Sequence, residues 1–511
     1  MAYKMFAAIY VGSSELVLKI YEISKKNSYR VIDSVSRIIE LGKDTYSKGS
    51  LSTDSIKEVC GTLESFLMKM KEYDVRDYKA YATSAIREAD NMEMILDTIA
   101  RCTGIEVEVL SNSEQRYISY KGLVTKYDEF VQVVNKNTAF VDVGAGSVQV
   151  SLFNKDALVL TENIHIGAVR IRDYLSIVRT KSGRLDKIIS EYVDKDIETF
   201  RIIYLNDKEI KNIIAVGEVA SVFRKILPEI GASEKINREQ FEELYSKIIN
   251  VSPEELSERY GIPYERATLM LPNVIIYESF LNNCKAEEIY IPNVDFCDGI
   301  VADYLEKEKM LISGHSFDED IISSAYYMCK RYRCNKNHID RVSELALKIF
   351  DGTKKIHNLG SKERLQLQLA AILHECGNFV SIHDGALNSY YIIAHSEIIG
   401  LSHKERMEVA NIVKYNVMYL PPRKELIGEL GPCDYMTIAK LVSILRIANV
   451  LDKSHTQKIG NITVAQKNNQ VIITTDSYED IALENGLFEN RADFFEKVYG
   501  MRPVLKVKRS V

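Results

Sequence analysis

Residues 139–153 read AFVDVGAGSVQVSLF, which predicts an apolar strand, a glycine-rich turn and a second strand. Gly144 and Gly146 lack a Cβ atom, so the backbone of such a turn can approach an anion and point successive amides at it. Asp142, at the end of the first strand, is well placed to hold a divalent cation or to orient a water molecule. Glycine-rich hairpins are common, so this stretch alone does not identify a function.

The same pattern occurs near the start of the chain. Residues 5–11 form an apolar run, Gly12-Ser13-Ser14 closes it, and residues 16–23 make a return strand. This recurrence predicts a duplicated α/β domain with one phosphate-binding hairpin in each half. Two unrelated hairpins would produce the same pattern, and the hairpins alone do not separate the two interpretations.

Beyond residue 310 the character of the sequence changes. Residues 316–456 carry apolar residues at helical spacing, which predicts an all-helical domain. Residues 459–511 return to strand-like segments around one helix. A chain of 511 residues is too long for one hydrophobic core. We therefore predict domains over residues 1–124, 125–308, 309–458 and 459–511.

Composition and charge exclude several classes of protein. The chain is 46% hydrophobic and 27% charged, which is ordinary for a globular protein. Its formal net charge of −6 gives no general attraction to nucleic acid or an anionic membrane, and no apolar run could span a bilayer. The N-terminus lacks a signal-peptide layout, and the eight cysteines are scattered without a CxxC pair. We expect a cytoplasmic protein with reduced thiols rather than disulfides or a zinc site, and with no nucleic-acid or membrane partner.

Several motifs follow one another along the chain, at residues 8–14, 81–91 (YATSAIREADN), 109–115, 141–147, 165–170, 261–267 and 445–455. In order and spacing they resemble the exopolyphosphatase and guanosine pentaphosphate phosphatase (Ppx/GppA) family over nearly the whole chain. The resemblance implies an α/β fold, a duplicated actin-like (ribonuclease H-like) phosphatase core, followed by an all-α HD-like domain and a small α+β C-terminal domain. It also implies a homodimer.

The reaction implied by the resemblance is the removal of a terminal phosphate from inorganic polyphosphate or guanosine pentaphosphate by water, with Mg²⁺ or Mn²⁺. Glu114 would be the general base, Asp142 would help hold the metal, and Arg87 would bind phosphate oxygens. Donors to phosphate would come from Gly12, Ser13, Gly144, Gly146 and Ser147. From the residues alone, Glu114 fits better as a first-turn glutamate favoured by the helix dipole. For Arg87, pairing with Glu88 or Asp90 on the surface is an open alternative.

The chain departs from the family pattern at this site. Tyr10 stands where the first hairpin of the family has an aspartate, and Gln149 where the second continues to a glutamate. A phenol is neutral at pH 7 and a poor ligand for Mg²⁺. The third turn, at 216–220, is shortened and carries Glu218, an acidic group that would repel phosphate unless a metal lies between them. These departures favour a rival hypothesis, a regulatory protein that binds polyphosphate or guanosine tetra- or pentaphosphate without turnover.

A third class of function is disfavoured. An actin-like sugar kinase or chaperone that binds ATP would share the implied fold, but such proteins do not carry the TSAIREA tract of residues 83–89. The chain also offers no separate motif for an adenosine site.

The helical domain resembles the metal-dependent His-Asp phosphohydrolase fold with most of its ligands lost. His374-Glu375 stands where His-Asp is expected. Other metal positions are taken by asparagines, at Asn388, Asn416 and Asn449. An asparagine offers a metal only a neutral carbonyl, so no dinuclear site is expected. We predict structural or surface roles for His338, His374 and His383.

Overall fold

The computed structural model describes residues 3–24, 28–155, 157–177, 185–205, 209–310, 317–426, 430–431, 433–477 and 479–508. Contacts divide the chain into two compact units, residues 1–316 and 317–511. The predicted boundary at 308/309 lies just before residues 311–316, which are outside the described part of the chain.

The first sheet of the first unit begins with an antiparallel meander and continues with two parallel strands. Its strands are β1 (Lys4–Val11), β2 (Glu15–Ile23), β3 (Tyr29–Ile38), β4 (Asp77–Ala82) and β5 (Glu108–Val109). They lie in the order β3-β2-β1-β4-β5. β1 pairs antiparallel with β2 and parallel with β4. Both faces of β1 are buried, Ile9 on one and Phe6 on the other, which explains its continuous apolar run.

The second sheet repeats this topology. Its strands are β6 (Thr138–Val143), β7 (Val148–Asn154), β8 (Ala157–Ile164), β9 (Asn212–Val216), β10 (Lys235–Asn237) and β11 (Glu288–Tyr290). The order is β10-β11-β9-β6-β7-β8. β6 pairs antiparallel with β7 and parallel with β9, as β1 does with β2 and β4. The recurrence of the hairpins therefore reflects two sheets of one topology.

Fourteen helices connect these strands in the described part of the unit. They are α1 (Leu41–Lys48), α2 (Thr53–Glu72), α3 (Ser84–Arg87), α4 (Met92–Thr103), α5 (Asn112–Lys126), α6 (Phe130–Val134), α7 (Ala168–Ile177), α8 (Leu185–Phe200), α9 (Glu218–Ile226), α10 (Arg238–Ile249), α11 (Pro253–Tyr260), α12 (Tyr264–Ala267), α13 (Met270–Cys284) and α14 (Phe296–Lys307). Side chains of residues 174–177 and of Glu218 are not described. Helices α2 and α4 cover one face of the first sheet, and α14 covers the other.

Helices α5 and α14 cross between the two sheets. Tyr120 of α5 packs on Phe153 of β7, while α14, inside the predicted second domain, packs on β1 and β2. The helices meet at two glycines: a Cβ at Gly122 would lie 2.7 Å from the amide nitrogen of Gly299, and one at Gly299 would collide with the carbonyl oxygen of Ile118. The two halves of the unit are thus joined where the helix backbones touch.

Replacing Gly299 by alanine should destabilise the first unit by about 1–3 kcal/mol, because the added methyl group has only backbone to displace. The measurement is the free energy of unfolding in urea. Gly61→Ala is the matched control, since Gly61 lies in α2 and a Cβ there would have no neighbour within 4 Å. The control should be neutral or slightly stabilising. Equal stabilities for the two variants would contradict the close crossing.

The second unit packs helices around a small sheet. Its elements are α15 (Phe317–Arg331), α16 (Lys336–Gly352), α17 (Lys354–His357), α18 (Ser361–Leu373), α19 (Gly385–His395), α20 (His403–Val417), α21 (Tyr435–Val450), β12 (Ile462–Lys467), β13 (Gln470–Asp476), α22 (Ala482–Tyr499) and β14 (Arg502–Lys508). Helix α22 packs on α21, and β12 packs on α16. The predicted domains 309–458 and 459–511 therefore fall largely in one compact unit.

Among the described helices, none combines the length and apolar character needed to cross a membrane.

Candidate active site

The two hairpin turns close in the same way. The amide of Gly12 donates to the carbonyl oxygen of Glu15 at 2.8 Å, and the amide of Gly144 donates to that of Ser147 at 3.0 Å. The amides of Gly12 and Gly144 are therefore already hydrogen-bonded within their turns, and these two residues stabilise the conformation of the turns. An amide donor to phosphate has to come from the residues that follow them.

A cavity of ≈ 300 Å³ opens between the two sheets of the first unit. Of the predicted site residues, Ser13, Asp142 and Gly144 line it. Its lining also includes Ser84, Gln115, Gly217, Arg224, Arg266 and Asn273. The remaining predicted residues lie outside this lining: Gly12, Arg87, Glu114, Gly146 and Ser147.

Asp142 is the residue before the last in β6 and projects toward the third turn. Burial raises the pKa of its carboxyl to about 6, although the charge of Arg116 acts in the opposite direction. The turn leaves room for this carboxylate because Gly217 adopts a φ of +103°, and a Cβ there would lie 2.8 Å from Oδ1 of Asp142. Gly217 therefore permits both the backbone conformation and the approach of the carboxylate.

Glu114 closes a capping box at the start of α5. Its Oε2 accepts a hydrogen bond from the amide of Ser111 at 2.9 Å and one from the hydroxyl of Ser111 at 2.6 Å. The Ser-x-x-Glu spacing at 111–114 is the sequence signal for this arrangement. On the same helix, Gln115 and Ser119 reach the cavity. Glu114 therefore lies on the helix that borders the cavity, with its carboxylate turned to its own N-cap.

Arg87 holds the segment that carries Glu114. Its guanidinium donates to the carbonyl oxygen of Leu110 at 2.6 Å and to the side-chain oxygen of Asn112. Neither Glu88 nor Asp90 is its partner in these bonds. Arg87 thus ties the tract at residues 81–91 to the β5–α5 connection.

Tyr10 covers the first hairpin. A Cβ at Gly12 would lie 2.7 Å from the Tyr10 ring, and this ring packs on Phe296 with centroids 4.8 Å apart. Tyr10 also lines the cavity. A neutral phenol therefore stands where a carboxylate would be expected. On the neighbouring strand β7, Gln149 lies opposite Asp142 in the strand register. The Oε1 atom of Gln149 is buried and accepts no hydrogen bond from any described residue.

Tyr46 of α1 links the two hairpins, and the sequence offered no signal for it. Its hydroxyl lies 3.1 Å from the hydroxyl of Ser13 and donates to that of Ser84 at 2.9 Å. A Cβ at Gly146 would lie 2.8 Å from the same hydroxyl. Gly146 is therefore needed for close packing against Tyr46, and the Ser13 hydroxyl already has protein partners.

Three arginines of the second half bind glutamates of the first. Arg170 contacts Glu88 at 3.2 Å, Arg172 contacts Glu40 at 2.7 Å, and Arg266 pairs with Glu15. Arg266 and Glu15 line the cavity. These pairs hold the two halves together around it.

Arg224 of α9 is the cation that the cavity offers to an anion. Its side chain lines the cavity and makes no hydrogen bond or ion pair with any residue of the described part of the chain. The preceding Glu218, predicted to repel phosphate, begins α9, but its side chain lies outside the described residues.

A separate cluster of histidines lies in the second unit. Nε2 of His338 is 3.3 Å from Nε2 of His374, and Nδ1 of His338 is 2.8 Å from Oδ2 of Asp452. The His338 ring also stacks on His455 at 3.6 Å. Burial, followed by the charge of His338, lowers the pKa of His374 to about 3.

The carboxylate of this cluster comes from a residue that the sequence analysis did not single out. The sequence places Asn449 at the position of a metal-binding aspartate, whereas Asp452 is the aspartate that faces His338. His338 and His374 are buried, and His383 is exposed. His338, Glu375 and His455 bring ligand atoms within 4.8 Å of one another.

Comparison with known proteins identifies a family. A family model described as "Ppx/GppA phosphatase family" matches residues 19–308, and one described as "Ppx/GppA phosphatase, domain III" matches residues 322–491. A guanosine-5'-triphosphate,3'-diphosphate pyrophosphatase of Aeromonas hydrophila is 20% identical over 462 residues, covering 89% of this chain and 88% of that protein.

Solved structures show the same fold. A Ppx/GppA protein of Aquifex aeolicus aligns with a TM-score of 0.50 and 20% identity, over 62% of this chain and 100% of that one. An exopolyphosphatase from Cytophaga hutchinsonii aligns with a TM-score of 0.52 and 17% identity, over 60% of this chain and 98% of that one. The predicted α/β fold of the family is confirmed.

Proposed function

Because this chain belongs to the Ppx/GppA phosphatase family, we propose that it hydrolyses the terminal phosphate of inorganic polyphosphate or of guanosine pentaphosphate. The observation that supports this most is the cavity itself, in which two equivalent hairpin turns meet Asp142 and Arg224. Phosphoryl transfer depends mainly on positioning the reacting groups and on neutralising the phosphate charge. The turns and Asp142 would serve the first task, and Arg224 the second.

Arg224 supplies the positive charge for the phosphate chain. The protein carries a formal net charge of −6, so a polyanion has to be attracted locally. Because no described carboxylate pairs with it, this guanidinium is suited to paired hydrogen bonds with phosphate oxygens. Amides of the turns would complete the phosphate site.

The cavity also fits a divalent cation. Asp142 lines it together with Gln115 and Asn273, whose Oε1 and Oδ1 atoms are buried without a hydrogen bond from any described residue. Carboxylate and amide oxygens are ligands that Mg²⁺ and Mn²⁺ accept. Asp142 would hold the ion, and the amide oxygens of Gln115 and Asn273 are further candidate ligands in the same cavity lining. When bound, Mg²⁺ or Mn²⁺ supplies neutralisation of the phosphate charge.

Glu114 is the proposed general base. Its carboxylate has to leave Ser111 to accept a proton from the attacking water, and α5 already brings Gln115 to the cavity. Arg87, through Leu110 and Asn112, would act as a positioning residue for this segment.

A binding protein without turnover is the second candidate. It is favoured by the Tyr10 phenol against the first hairpin and by the carboxylate of Glu114 in its capping box. Phosphate release from long-chain polyphosphate and from guanosine pentaphosphate, measured with Mg²⁺ or Mn²⁺, tests the hydrolase. Tight binding of either compound without release would favour the binding protein.

Arg224→Ala should raise the KM for polyphosphate about 10–100-fold with a smaller change in kcat, since a charge-assisted hydrogen bond contributes about 1.5–3 kcal/mol. Steady-state phosphate release provides the measurement. Arg238→Ala, in α10 and outside the cavity lining, is the control and should behave as wild type. An unchanged KM in Arg224→Ala would remove this arginine from the phosphate site.

A further inference from the structure

Three cysteines meet in the second unit although they are far apart in the sequence. Cys329 lies in α15, Cys334 in the connection to α16, and Cys376 begins a 3-10 helix after α18. Sγ of Cys376 is 3.8 Å from Sγ of Cys329 and 3.6 Å from Sγ of Cys334. These cysteines are scattered along the sequence, but the fold brings the end of α18 to the α15–α16 connection and so places the three thiols together.

The spacing of the sulfur atoms matches a metal site. All three lie within 4.8 Å of one another. Two thiolates bound to a tetrahedral zinc ion at about 2.3 Å are themselves separated by about 3.8 Å. We propose that Cys329, Cys334 and Cys376 form a thiolate site for Zn²⁺.

The surroundings suit such a site. Cys329 and Cys376 are buried, whereas Cys334 is partly exposed and gives an ion access from solvent. Three thiolates occupy three corners of the tetrahedron, and a water molecule from the side of Cys334 takes the fourth. The thiol protons pass to solvent as the ion binds.

Two other arrangements explain the cluster less well. A disulfide would join two of the sulfur atoms and leave the third beside it, whereas Cys376 contacts both neighbours at similar distances. The nearby imidazoles are already engaged, His338 by Asp452 and by stacking on His455. Thiolates are also the softer ligands and favour Zn²⁺.

The ion would tie the α15–α16 connection to the end of α18. Cys329 already bonds across this junction, its thiol donating to the carbonyl oxygen of Ile372 at 2.9 Å. An ion that binds only the folded state stabilises it in proportion to its occupancy. The site lies within the second unit, so it is independent of the proposed phosphatase activity.

The full-length protein is reduced, stripped of metal with a chelator and titrated with Zn²⁺. We expect one tightly held Zn²⁺ per chain, a rise in melting temperature, and an X-ray absorption spectrum with three sulfur neighbours at about 2.3 Å. Co²⁺ in place of Zn²⁺ should give a thiolate-to-metal charge-transfer band.

Cysteine-to-serine variants test which thiols bind the ion. Cys334→Ser and Cys376→Ser should each lose the stoichiometric zinc, and Cys334→Ser, at a partly exposed position, carries the test if Cys376→Ser fails to fold. Cys433→Ser, in the same unit and outside the cluster, should retain the zinc.

Failure of the reduced protein to hold zinc would overturn the proposal. So would retention of zinc by the folded Cys334→Ser variant, or loss of zinc in His338→Ala while the thiol variants keep it. Formation of a disulfide within the cluster that zinc does not prevent would also overturn it.

Discussion

Phosphate release from polyphosphate is expected to fall by about 10²–10⁴-fold when Glu114 is replaced by glutamine, the usual contribution of a general base. Glutamine cannot accept the proton of the attacking water. It can still accept hydrogen bonds from Ser111, because Gln serves as well as Glu at the third position of a capping box. The loss should therefore appear in kcat without a loss of stability.

Two measurements and a matched control make this result specific. Initial rates with Mg²⁺ report the chemistry, and thermal unfolding reports the capping box. Glu93→Gln, an exposed first-turn position in α4, is the matched control and should keep full activity. Turnover that survives in Glu114→Gln would remove Glu114 from its proposed role. Absence of turnover in the wild type, with polyphosphate still bound, would favour the binding protein.

Gly217→Ala is expected to reduce phosphate release by about 10²-fold, the effect of misplacing a reacting group by about an ångström. The new methyl group would lie 2.8 Å from the resting position of Asp142 Oδ1, so the carboxylate has to move. The φ of +103° adds strain for any residue with a Cβ atom. Because Asp142 is also the proposed metal ligand, more Mg²⁺ should be needed for half-maximal rate.

Gly231→Ala separates the effect of backbone strain from that of displacing the Asp142 carboxylate. Gly231 also has a positive φ, +66°, but a Cβ there meets nothing within 4 Å. This variant should lose about 1–2 kcal/mol of stability and keep its activity. Rates and Mg²⁺ titrations of the two variants provide the comparison. Equal activities would show that the position of Asp142 does not depend on Gly217.

Local patterns account for the parts of the molecule that were predicted correctly. The hairpins around Gly12 and Gly144 are encoded by apolar runs and turn residues that are neighbours in sequence, so their recurrence indicated the duplicated sheets. The position of Glu114 in the first turn of α5 was also predicted from the residues, whereas its role as general base rests on the resemblance alone.

The amino-acid sequence by itself determined the strands, the turns, the change to helices after residue 310 and the family, because these depend on short-range periodicity and motif order. Only the tertiary structure decided that Tyr46 joins the hairpins, that Asp452 faces His338, and that Cys376 meets Cys329 and Cys334. Such contacts join residues tens of positions apart. They depend on how helices and sheets pack, and local sequence patterns do not encode that packing.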